Sequence, residues 1–497
     1  MAALLQTSSP NLPWSESLDP ILPDIECPNT QGSCWSCLAQ SSPCDGALPH
    51  CRNCRKKRRT CAGYGIRLQR PGPMQGISRH DSPLEARKSK ILRFVCPLGL
   101  QPLENRLLQH WVHQITRFCL AIDYTDNGYR RLIPMALEEP ALFSSIMAIA
   151  AAHESKTMQT VDTLSGKYLR TAMLRLQQIL SNPITATKDS TLGTMLCLVT
   201  YEIFNGSPRW RSHYAGVSSW LKMRGDCTDL NPFMKGWISM ADTQSGLNMG
   251  TAIIPEVEDW LSSMDDSGSG QPIIDPILGC SSRMPKLMLE AVGLYRTSQG
   301  AGAESADVQA EIRERGKLLK AKIHAASLDI QATPLLAISG DRRGLVLGGL
   351  TPTTTSANGQ DQSEFMRHMC ANTEIFRYAL LVYVFRVVNG LNVPLDMETQ
   401  YAVEEAFRLL PQLPFINGLG SNLGWALVVI ASETNAPELR EYIRCRWRSL
   451  KLLGMNYNEV GELLTEEVWR RRDDMNYTCD VSWQTVMQEL DLGHMLV

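Results

Sequence analysis

The stretch CWSCLAQSSPCDGALPHCRNCRKKRRTC, residues 34–61, contains six of the 15 cysteines of this 497-residue chain. It divides into two halves with the same cysteine spacing, C-x2-C-x6-C, and six residues separate the halves. The second half carries six basic residues, whereas the first has none between its second and third cysteines. Both the repeated thiols and the one-sided charge therefore need a chemical cause.

The repeated spacing predicts a cluster that holds two metal ions. A structural zinc ion is bound by four thiolates in a tetrahedron. Six thiolates are too many for one such ion and too few for two separate ions, so two of them must bridge both metals. One bridge from each half is the natural arrangement, and Cys34 and Cys51 are the candidates. The predicted ligands of Zn2+ (two ions) are Cys34, Cys37, Cys44, Cys51, Cys54 and Cys61.

Disulfide bonds or chance clustering could also account for the cysteines. Disulfides belong to oxidising compartments, and residues 1–20 have neither a basic start nor an apolar core, so no secretory signal is predicted. Cys27 has no cysteine two residues away and is interpreted as a spare thiol. A segment this short cannot fold on apolar burial alone, so we expect metal binding to supply most of its stability.

The segment resembles the fungal binuclear zinc cluster of transcription factors. The resemblance rests on the spacing, on CDGALPHCRNC and CAGYG, and on Asp45, Gly46 and Pro49, which match the loop between the family's halves. It implies bridging by Cys34 and Cys51, binding to double-stranded DNA, a location in the nucleus and regulation of RNA polymerase II transcription.

The first half departs from this family at Leu38–Pro43. Members of the family usually carry Arg and Lys there, on a short helix that enters the major groove and reads a CGG triplet. LAQSSP offers no cation for a phosphate or a guanine, although Gln40 retains the ability to bond a base edge. Pro43 would also stop a helix.

The positive charge lies in the second half, between Cys51 and Cys61, where no acidic residue occurs. Six thiolates and two zinc ions carry a formal charge of about −2, so part of the basic charge balances the cluster. We expect the remainder to bind phosphates. A nuclear import signal or a solvated face also fits the run, and an error in the gene model would also explain the first half. The predicted DNA-binding residues are Arg52, Arg55, Lys56, Lys57, Arg58 and Arg59.

From residue 101 onward the apolar residues recur with a helical period, as in Leu107, Leu108, Trp111 and Ile115, and Pro140 can open the next helix. The sequence therefore predicts a mainly α fold, a small cysteine cluster followed by a large all-helical domain. Loops are predicted at 265–272 and 350–363. Further helices are predicted at 164–181, 189–204, 211–224, 364–390, 398–410 and 438–453. The predicted regions are a disordered tail (1–33), the DNA-binding cluster (34–64), a basic linker rich in Pro and Gly (65–100) and the helical domain (101–497).

The helical region resembles the regulatory domain that accompanies many such clusters. The matching stretches are YRRLIPMALEEPALFSSIMAIAAAH, WRSHYAGVSSWLKMRG, and GWALVVIASETNAPELREYIRCRW through EEVWRRRDDM. The resemblance implies effector response, contact with the transcription machinery or activation, often of a metabolic or secondary-metabolite gene cluster. A homodimer is left open, since no sustained heptad follows the cluster. A regulator that has lost sequence-specific DNA binding and acts through protein contacts is the alternative, because of Leu38–Pro43.

No enzyme and no catalytic residue are predicted. His153-Glu154 lacks the second histidine of a metalloprotease signature, and Gly418, Gly420 and Gly424 do not have the spacing of a dinucleotide loop. No apolar run reaches the roughly 18 residues of a membrane span, so no membrane partner is predicted. The tail 473–497 mixes acidic and apolar residues, which fits either an activation segment or a last packed helix.

Overall fold

The described part of this computed structural model forms two compact units, one within residues 1–67 and one within 68–497. The predicted tail 1–33, Cys34 and almost all of the predicted linker 65–100 lie outside the described residues. The described residues are 35–38, 40, 42–45, 51–59, 61, 100–123, 127–263, 274–327, 360–415, 418–474, 481–493 and 495–496.

The described residues of the small unit include two short helices, α1 (Trp35–Leu38) and α2 (Arg52–Lys56). Each follows a cysteine directly, and α1 ends before Pro43, as the sequence predicts. Helices of one turn are unstable in isolation. Contacts from outside the helices must therefore hold them in place.

The large unit is helical, which confirms the predicted mainly α fold. A turn of π-helix (Trp111–Ile115) joins α3 to α4, and 3-10 turns lie at Leu410–Gln412 and Gly418–Gly420. Strands β1 (Ile274–Asp275) and β2 (Cys280–Ser281) form one short antiparallel pair. The α-helices are α3 (Pro102–His110), α4 (Thr116–Phe118), α5 (Gly128–Glu138), α6 (Pro140–Thr157), α7 (Ser165–Leu180), α8 (Pro183–Ala186), α9 (Asp189–Phe204), α10 (Trp210–Arg224), α11 (Pro232–Met249), α12 (Pro255–Ser262), α13 (Arg283–Ser298), α14 (Ala306–Ala325), α15 (Gln360–Asn389), α16 (Met397–Leu409), α17 (Gly424–Ala431), α18 (Pro437–Lys451), α19 (Tyr457–Asp474) and α20 (Trp483–Glu489).

The six helical windows predicted from the sequence each contain a helix. The largest difference in their ends is at α15, which is predicted from residue 364 and begins at Gln360. The end of the predicted loop 350–363 is therefore wrong. Local signals set the starts: Pro140 and Pro437 occupy the first turns of α6 and α18, and the Asp396 side chain accepts a bond from the backbone N–H of Thr399 at 2.7 Å.

Helices α6 and α9 lie at the centre and are buried on nearly every side. Helices α7 and α10 pack against them, and α15 packs with α13, α14 and α16. Within the described ranges, no helix combines the length and the apolar character that a bilayer span requires. The fully buried tryptophans of this core are Trp111, Trp210, Trp220, Trp425, Trp447 and Trp469.

The end of the chain packs onto this core. Trp483, Val486 and Met487 of α20 are buried, and the indole N–H of Trp210 donates to the carbonyl of Gly493 at 3.0 Å. A buried indole N–H needs such an acceptor. For residues 481–493, this geometry favours the packed helix over the activation segment.

Candidate metal centre and nucleic-acid interface

Helix α2 is built on a cysteine. Cys51 has an extended backbone conformation and precedes the helix, and its Sγ accepts a bond from the backbone N–H of Cys54 at 3.2 Å. This sulfur therefore takes the place of the oxygen that usually caps a helix N-terminus. A second backbone N–H, that of Cys51, donates to Sγ of Cys61 at 3.4 Å. Donors of this kind favour the thiolate form, which is the form that binds metals.

The sulfur atoms form two groups that share one residue. The Sγ atoms of Cys37, Cys44 and Cys51 all lie within 4.8 Å of one another, and so do those of Cys51, Cys54 and Cys61. Cys51 is common to both groups, the position expected for a bridging ligand. The structure thus brings five of the six predicted ligands together, and Cys34 lies outside the described residues.

The spacing of these sulfurs fits a tetrahedral zinc site. Four thiolates at about 2.3 Å from zinc are about 3.8 Å from one another. The Sγ atom of Cys37 lies 3.7 Å from that of Cys51, which belongs to the same group. Of the described cysteines in this segment, none forms a disulfide bond. The donor set and its spacing therefore fit metal binding rather than oxidation.

Two polar side chains connect the halves of the small unit. The carboxylate of Asp45 accepts bonds from the backbone N–H of Arg52 at 2.9 and 3.1 Å. The amide of Asn53 donates to the carbonyl of Pro43 at 2.7 Å and to Sγ of Cys37 at 3.4 Å. These bonds attach α2 to the end of the first half, so the position of each half depends on the other.

The chain turns back on itself directly after α2. Arg58 has a φ of 49°, in the left-handed region that side chains other than glycine rarely adopt. The backbone N–H of Arg58 donates to the carbonyl of Arg55, and that of Arg59 donates to the carbonyl of Cys54, both at 3.0 Å. This pair of bonds is a Schellman motif, and it points Arg59 toward the cysteines.

Arg59 contacts the sulfurs rather than solvent alone. Its Nε donates to Sγ of Cys54 at 3.3 Å, and its Nη2 donates to Sγ of Cys37 at 3.2 Å and to Oγ of Ser42 at 3.1 Å. Its Nη1 donates to the side-chain oxygen of Gln40. One guanidinium therefore joins both halves and lies beside the sulfur atoms. Its positive charge there would offset the negative charge of metal-bound thiolates.

The other predicted DNA-binding residues are exposed. Helix α2 has no acidic residue in its first turn and has Arg55 and Lys56 in its last turn, where cations interact favourably with the helix dipole. The structure thus separates the six cations into one that contacts sulfur and five that face solvent. The exposed residues are Arg52, Arg55, Lys56, Lys57 and Arg58.

Comparison with known proteins shows which family the large unit resembles. The model of the fungal specific transcription factor domain matches residues 106–497, well over half of the chain. The chain belongs to this family. A stretch of 42 residues is also 43% identical to part of arginine metabolism regulation protein II of Saccharomyces cerevisiae. That match covers 8% of this chain and only 5% of the yeast protein. No solved structure matches the chain.

The histidines of the fungal specific transcription factor domain include a buried pair. Nε2 of His110 lies 2.8 Å from Nδ1 of His153, and Nε2 of His153 lies 2.8 Å from the carbonyl oxygen of Leu453. Burial lowers the pKa of His110 to about 3 and that of His153 to about 4. Both rings are therefore neutral at physiological pH and connect α3, α6 and the end of α18.

The glycines that resemble a dinucleotide loop have a packing role instead. A Cβ on Gly420 would lie 1.7 Å from the carbonyl oxygen of Pro414. The buried guanidinium of Arg446 donates to the carbonyls of Leu413, Pro414 and Gly420 at 3.1, 2.8 and 3.3 Å. No strand precedes this segment directly among the described residues. The described residues of this segment thus close around an arginine rather than around a phosphate.

Sequence reasoning missed the roles of Asp45, Asn53 and Arg59 in joining the halves. It used Asp45 only as a match to the family loop and treated Arg59 as one of six equivalent cations. A signal was present for Asp45, because an aspartate just before a tight loop often accepts backbone bonds. No signal in a run of basic residues distinguishes the one that turns inward.

Proposed function

We propose that this chain is a zinc-dependent, DNA-binding regulator of RNA polymerase II transcription that acts in the nucleus. The observation that carries the proposal is the pair of sulfur groups sharing Cys51, next to a surface of exposed cations. Zinc, when bound, supplies the thiolate bonds that hold the two halves together. Cys37, Cys44, Cys51, Cys54 and Cys61 would hold it, with Cys34 as the sixth ligand proposed from the spacing.

The exposed cations of the second half supply the affinity for DNA. Arg52 and Arg55–Arg58 carry five positive charges, and no acidic residue lies between Cys51 and Cys61. Such a cluster replaces the counterions of the phosphate backbone, so its binding falls steeply with salt. Arginine and lysine also pair with the major-groove edge of guanine. We therefore assign both phosphate contact and base contact to this half.

The large unit supplies regulation and contact with the transcription machinery. Its membership of the fungal specific transcription factor family supports that assignment. The yeast relative's name refers to arginine metabolism, which supports control of metabolic genes as the output. The resemblance of the helical region extends the proposal to secondary-metabolite genes. A homodimer remains part of the proposal, since paired half-sites would raise specificity.

The test uses purified full-length protein. We expect two equivalents of zinc by elemental analysis and binding to promoter duplexes by fluorescence anisotropy. Replacing Arg55, Lys56 and Lys57 by alanine should weaken binding and reduce the slope of log K against log salt by up to about 2.7, or about 0.9 for each lost phosphate contact. The matched control replaces Arg313, Arg315 and Lys317, three exposed cations of α14, and should leave the slope unchanged. An unchanged slope in the first variant would defeat the assignment.

A second function is favoured by the first half. Residues 38–43 contain no cation, and the side chains of Gln40 and Ser42 already accept bonds from Arg59. This half therefore offers little for reading bases, which supports a regulator without sequence-specific DNA binding that acts through protein contacts. Equal affinity for CGG-containing and shuffled duplexes would support this alternative. Preference for one duplex by about tenfold or more would rule it out.

A further inference from the structure

Helix α7 exposes apolar side chains that a surface helix usually buries. Only Ser165, Ala172 and Leu176 of α7 are buried. Met173, Leu174 and Leu180 are 47, 57 and 43% exposed, and Ile184 just beyond the helix is 78% exposed. Single exposed apolar residues are common, but a contiguous group on one helix marks an interaction surface.

Met173, Leu174 and Leu180 line a groove of about 620 Å³. Leu198 of α9 and His213 of α10 complete its lining, which is mostly apolar. The floor is rigid, because α7 packs on the central helix α6 and α10 packs on α9. A preformed apolar groove between packed helices is the kind of surface that accepts an amphipathic helix.

The two helices α7 and α10, which contribute to the groove, are rich in positive charge. Helices α7 and α10 each carry three Lys or Arg residues and no Asp or Glu, although the chain as a whole has a net charge of −2. Arg224 of α10 is paired with Asp189 and Asp229. For Lys167, Arg170 and Arg175 of α7, no ion pair is found among the described residues.

Two acidic groups near this surface already have partners. Glu202 of α9 is buried beside His213, with 3.8 Å between the carboxylate and Nε2. Asp162 accepts a bond from the backbone N–H of Ser165 at 2.9 Å, at the start of α7. Helix α7 itself carries three exposed cations and no acidic residue, which favours an acidic partner.

We propose that the α7 groove binds an acidic amphipathic helix of a partner protein. Helix α7 is about 24 Å long, the length of about four helical turns, and offers apolar contacts at Leu169, Met173, Leu174 and Leu180. A partner helix with apolar residues at i, i+3, i+4 and i+7 and carboxylates beside them would satisfy both features. Nucleic acid fits less well, since binding of single strands relies on aromatic stacking that this groove lacks.

The proposal stands apart from DNA binding by the cysteine cluster. The test uses the zinc-loaded full-length chain and a fluorescein-labelled synthetic peptide of about four helical turns, with leucine at the apolar positions and glutamate at most others. We expect saturable binding by anisotropy, with a dissociation constant on the order of micromolar, that weakens as salt rises. A peptide with lysine in place of glutamate should not bind.

Substitutions locate the site. Leu174→Glu should weaken peptide binding about tenfold or more, because it removes an apolar contact and adds a like charge. The matched control is Leu318→Glu on α14, where the leucine is 56% exposed, and binding should be unchanged. Arg170→Glu should weaken binding a few-fold and flatten its salt dependence. Circular dichroism checks that each variant is folded.

Three outcomes would overturn the proposal. The first is the absence of saturable binding by the acidic peptide. The second is equal binding by Leu174→Glu and the unsubstituted protein. The third is that Arg170→Glu weakens binding to a random DNA duplex as much as binding to the peptide, which would make the surface a nucleic-acid site. The first two outcomes do not involve DNA, so they test the groove separately from DNA binding by the cysteine cluster.

Discussion

The guanidinium of Arg59 lies 3.2 Å from the sulfur of Cys37, although the two residues are 22 positions apart in the chain. The same guanidinium lies 3.3 Å from the sulfur of Cys54. Cys37 belongs to the first half and Cys54 to the second, so Arg59 crosses between the halves. A group that contacts the sulfurs of predicted ligands in this way is placed to tune the predicted metal site.

Replacement of Arg59 by lysine should therefore affect metal binding first. Lysine keeps the charge but lacks the planar fork that reaches both sulfurs, Ser42 and Gln40. We expect zinc affinity to fall by about 10- to 100-fold, the usual effect of losing a group that bonds a ligand. Competition with a chromogenic chelator measures it.

Lys57→Ala is the control for this change, because Lys57 is exposed and no contact of its side chain with a sulfur is described. It should leave zinc affinity unchanged and reduce the salt slope of DNA binding by about 0.9. If Arg59→Lys and Lys57→Ala gave the same pattern in both assays, the separate role of Arg59 would be wrong.

The left-handed backbone of Arg58 predicts that glycine at this position supports zinc binding better than alanine does. Its φ of 49° costs about 1 kcal/mol for a residue with a Cβ and nothing comparable for glycine. Arg58→Gly should thus hold zinc more tightly than Arg58→Ala, by about fivefold. Both variants lose the same charge, so their difference in chelator competition isolates the backbone. Equal affinities would show that the turn is unstrained.

The helical architecture could be predicted from sequence wherever one face of a helix is apolar. Helix α10, whose buried residues include Trp210, Tyr214, Val217 and Leu221, follows its predicted window closely for this reason. Helix α11 was missed because its buried residues include Asp242, Gln244 and Asn248. The carboxylate of Asp242 accepts the backbone N–H of Ile254 at 2.7 Å, an interaction between segments that periodicity does not encode. Strands β1 and β2 have two residues each, too few to show alternation.

The candidate site could likewise be predicted from the sequence only in part. The thiol ligands follow from spacing, since cysteines two residues apart place two sulfurs at one turn. The direction in which a cation points does not follow from spacing, because it depends on the backbone of Arg58 and on how Asp45 and Asn53 join the halves. The α7 groove was also missed, because the exposure of Leu174 depends on which neighbours pack there.

The paired histidines predict a loss of stability in acid. The carbonyl of Leu453 requires a proton on Nε2 of His153, so Nδ1 of His153 accepts a hydrogen bond from Nε2 of His110. Nδ1 of His110 is then bare and has no hydrogen-bond partner in the described part of the chain. Burial, then His153 and Arg106, lower the pKa of His110 to about 3.

The direction of this pH effect on stability follows from the difference in proton binding between the folded and unfolded chains. Both folded pKa values lie below the usual 6.5, so the unfolded chain binds protons first as the pH falls. The free energy of unfolding should decrease from about pH 6.5 toward pH 4, by up to about 1.4 kcal/mol per pH unit for each ring. Chemical denaturation at pH 7 and at pH 5 measures how much the free energy of unfolding changes with pH. In His110→Leu this change should be smaller by the contribution of one histidine. An unchanged slope would contradict the buried neutral pair.

The packing of Gly420 predicts a large effect from one methyl group. In Gly420→Ala the new Cβ would meet the carbonyl oxygen of Pro414 at 1.7 Å and Nη2 of Arg446 at 2.7 Å. Relief requires a backbone shift that also disturbs the bonds of buried Arg446. We expect a loss of about 2 to 3 kcal/mol in the free energy of unfolding.

The control for Gly420→Ala is Gly166→Ala. Gly166 lies on the exposed side of α7, and nothing lies within 4 Å of an added Cβ. Alanine there should leave stability unchanged or raise it by up to about 1 kcal/mol, since alanine favours helix. Equal denaturation midpoints for the two variants would show that the loop around Arg446 adapts freely.

Removal of zinc should affect the small unit and leave the large unit folded. The described cysteine groups that can hold a metal all lie between Cys37 and Cys61. In the large unit, burial raises the pKa of Cys197 to about 12 and that of Cys370 to about 11, which disfavours the thiolate form that binds metals. A chelator should abolish DNA binding while far-UV circular dichroism keeps nearly all of its helical signal. Loss of that signal together with DNA binding would mean that the large unit also depends on metal.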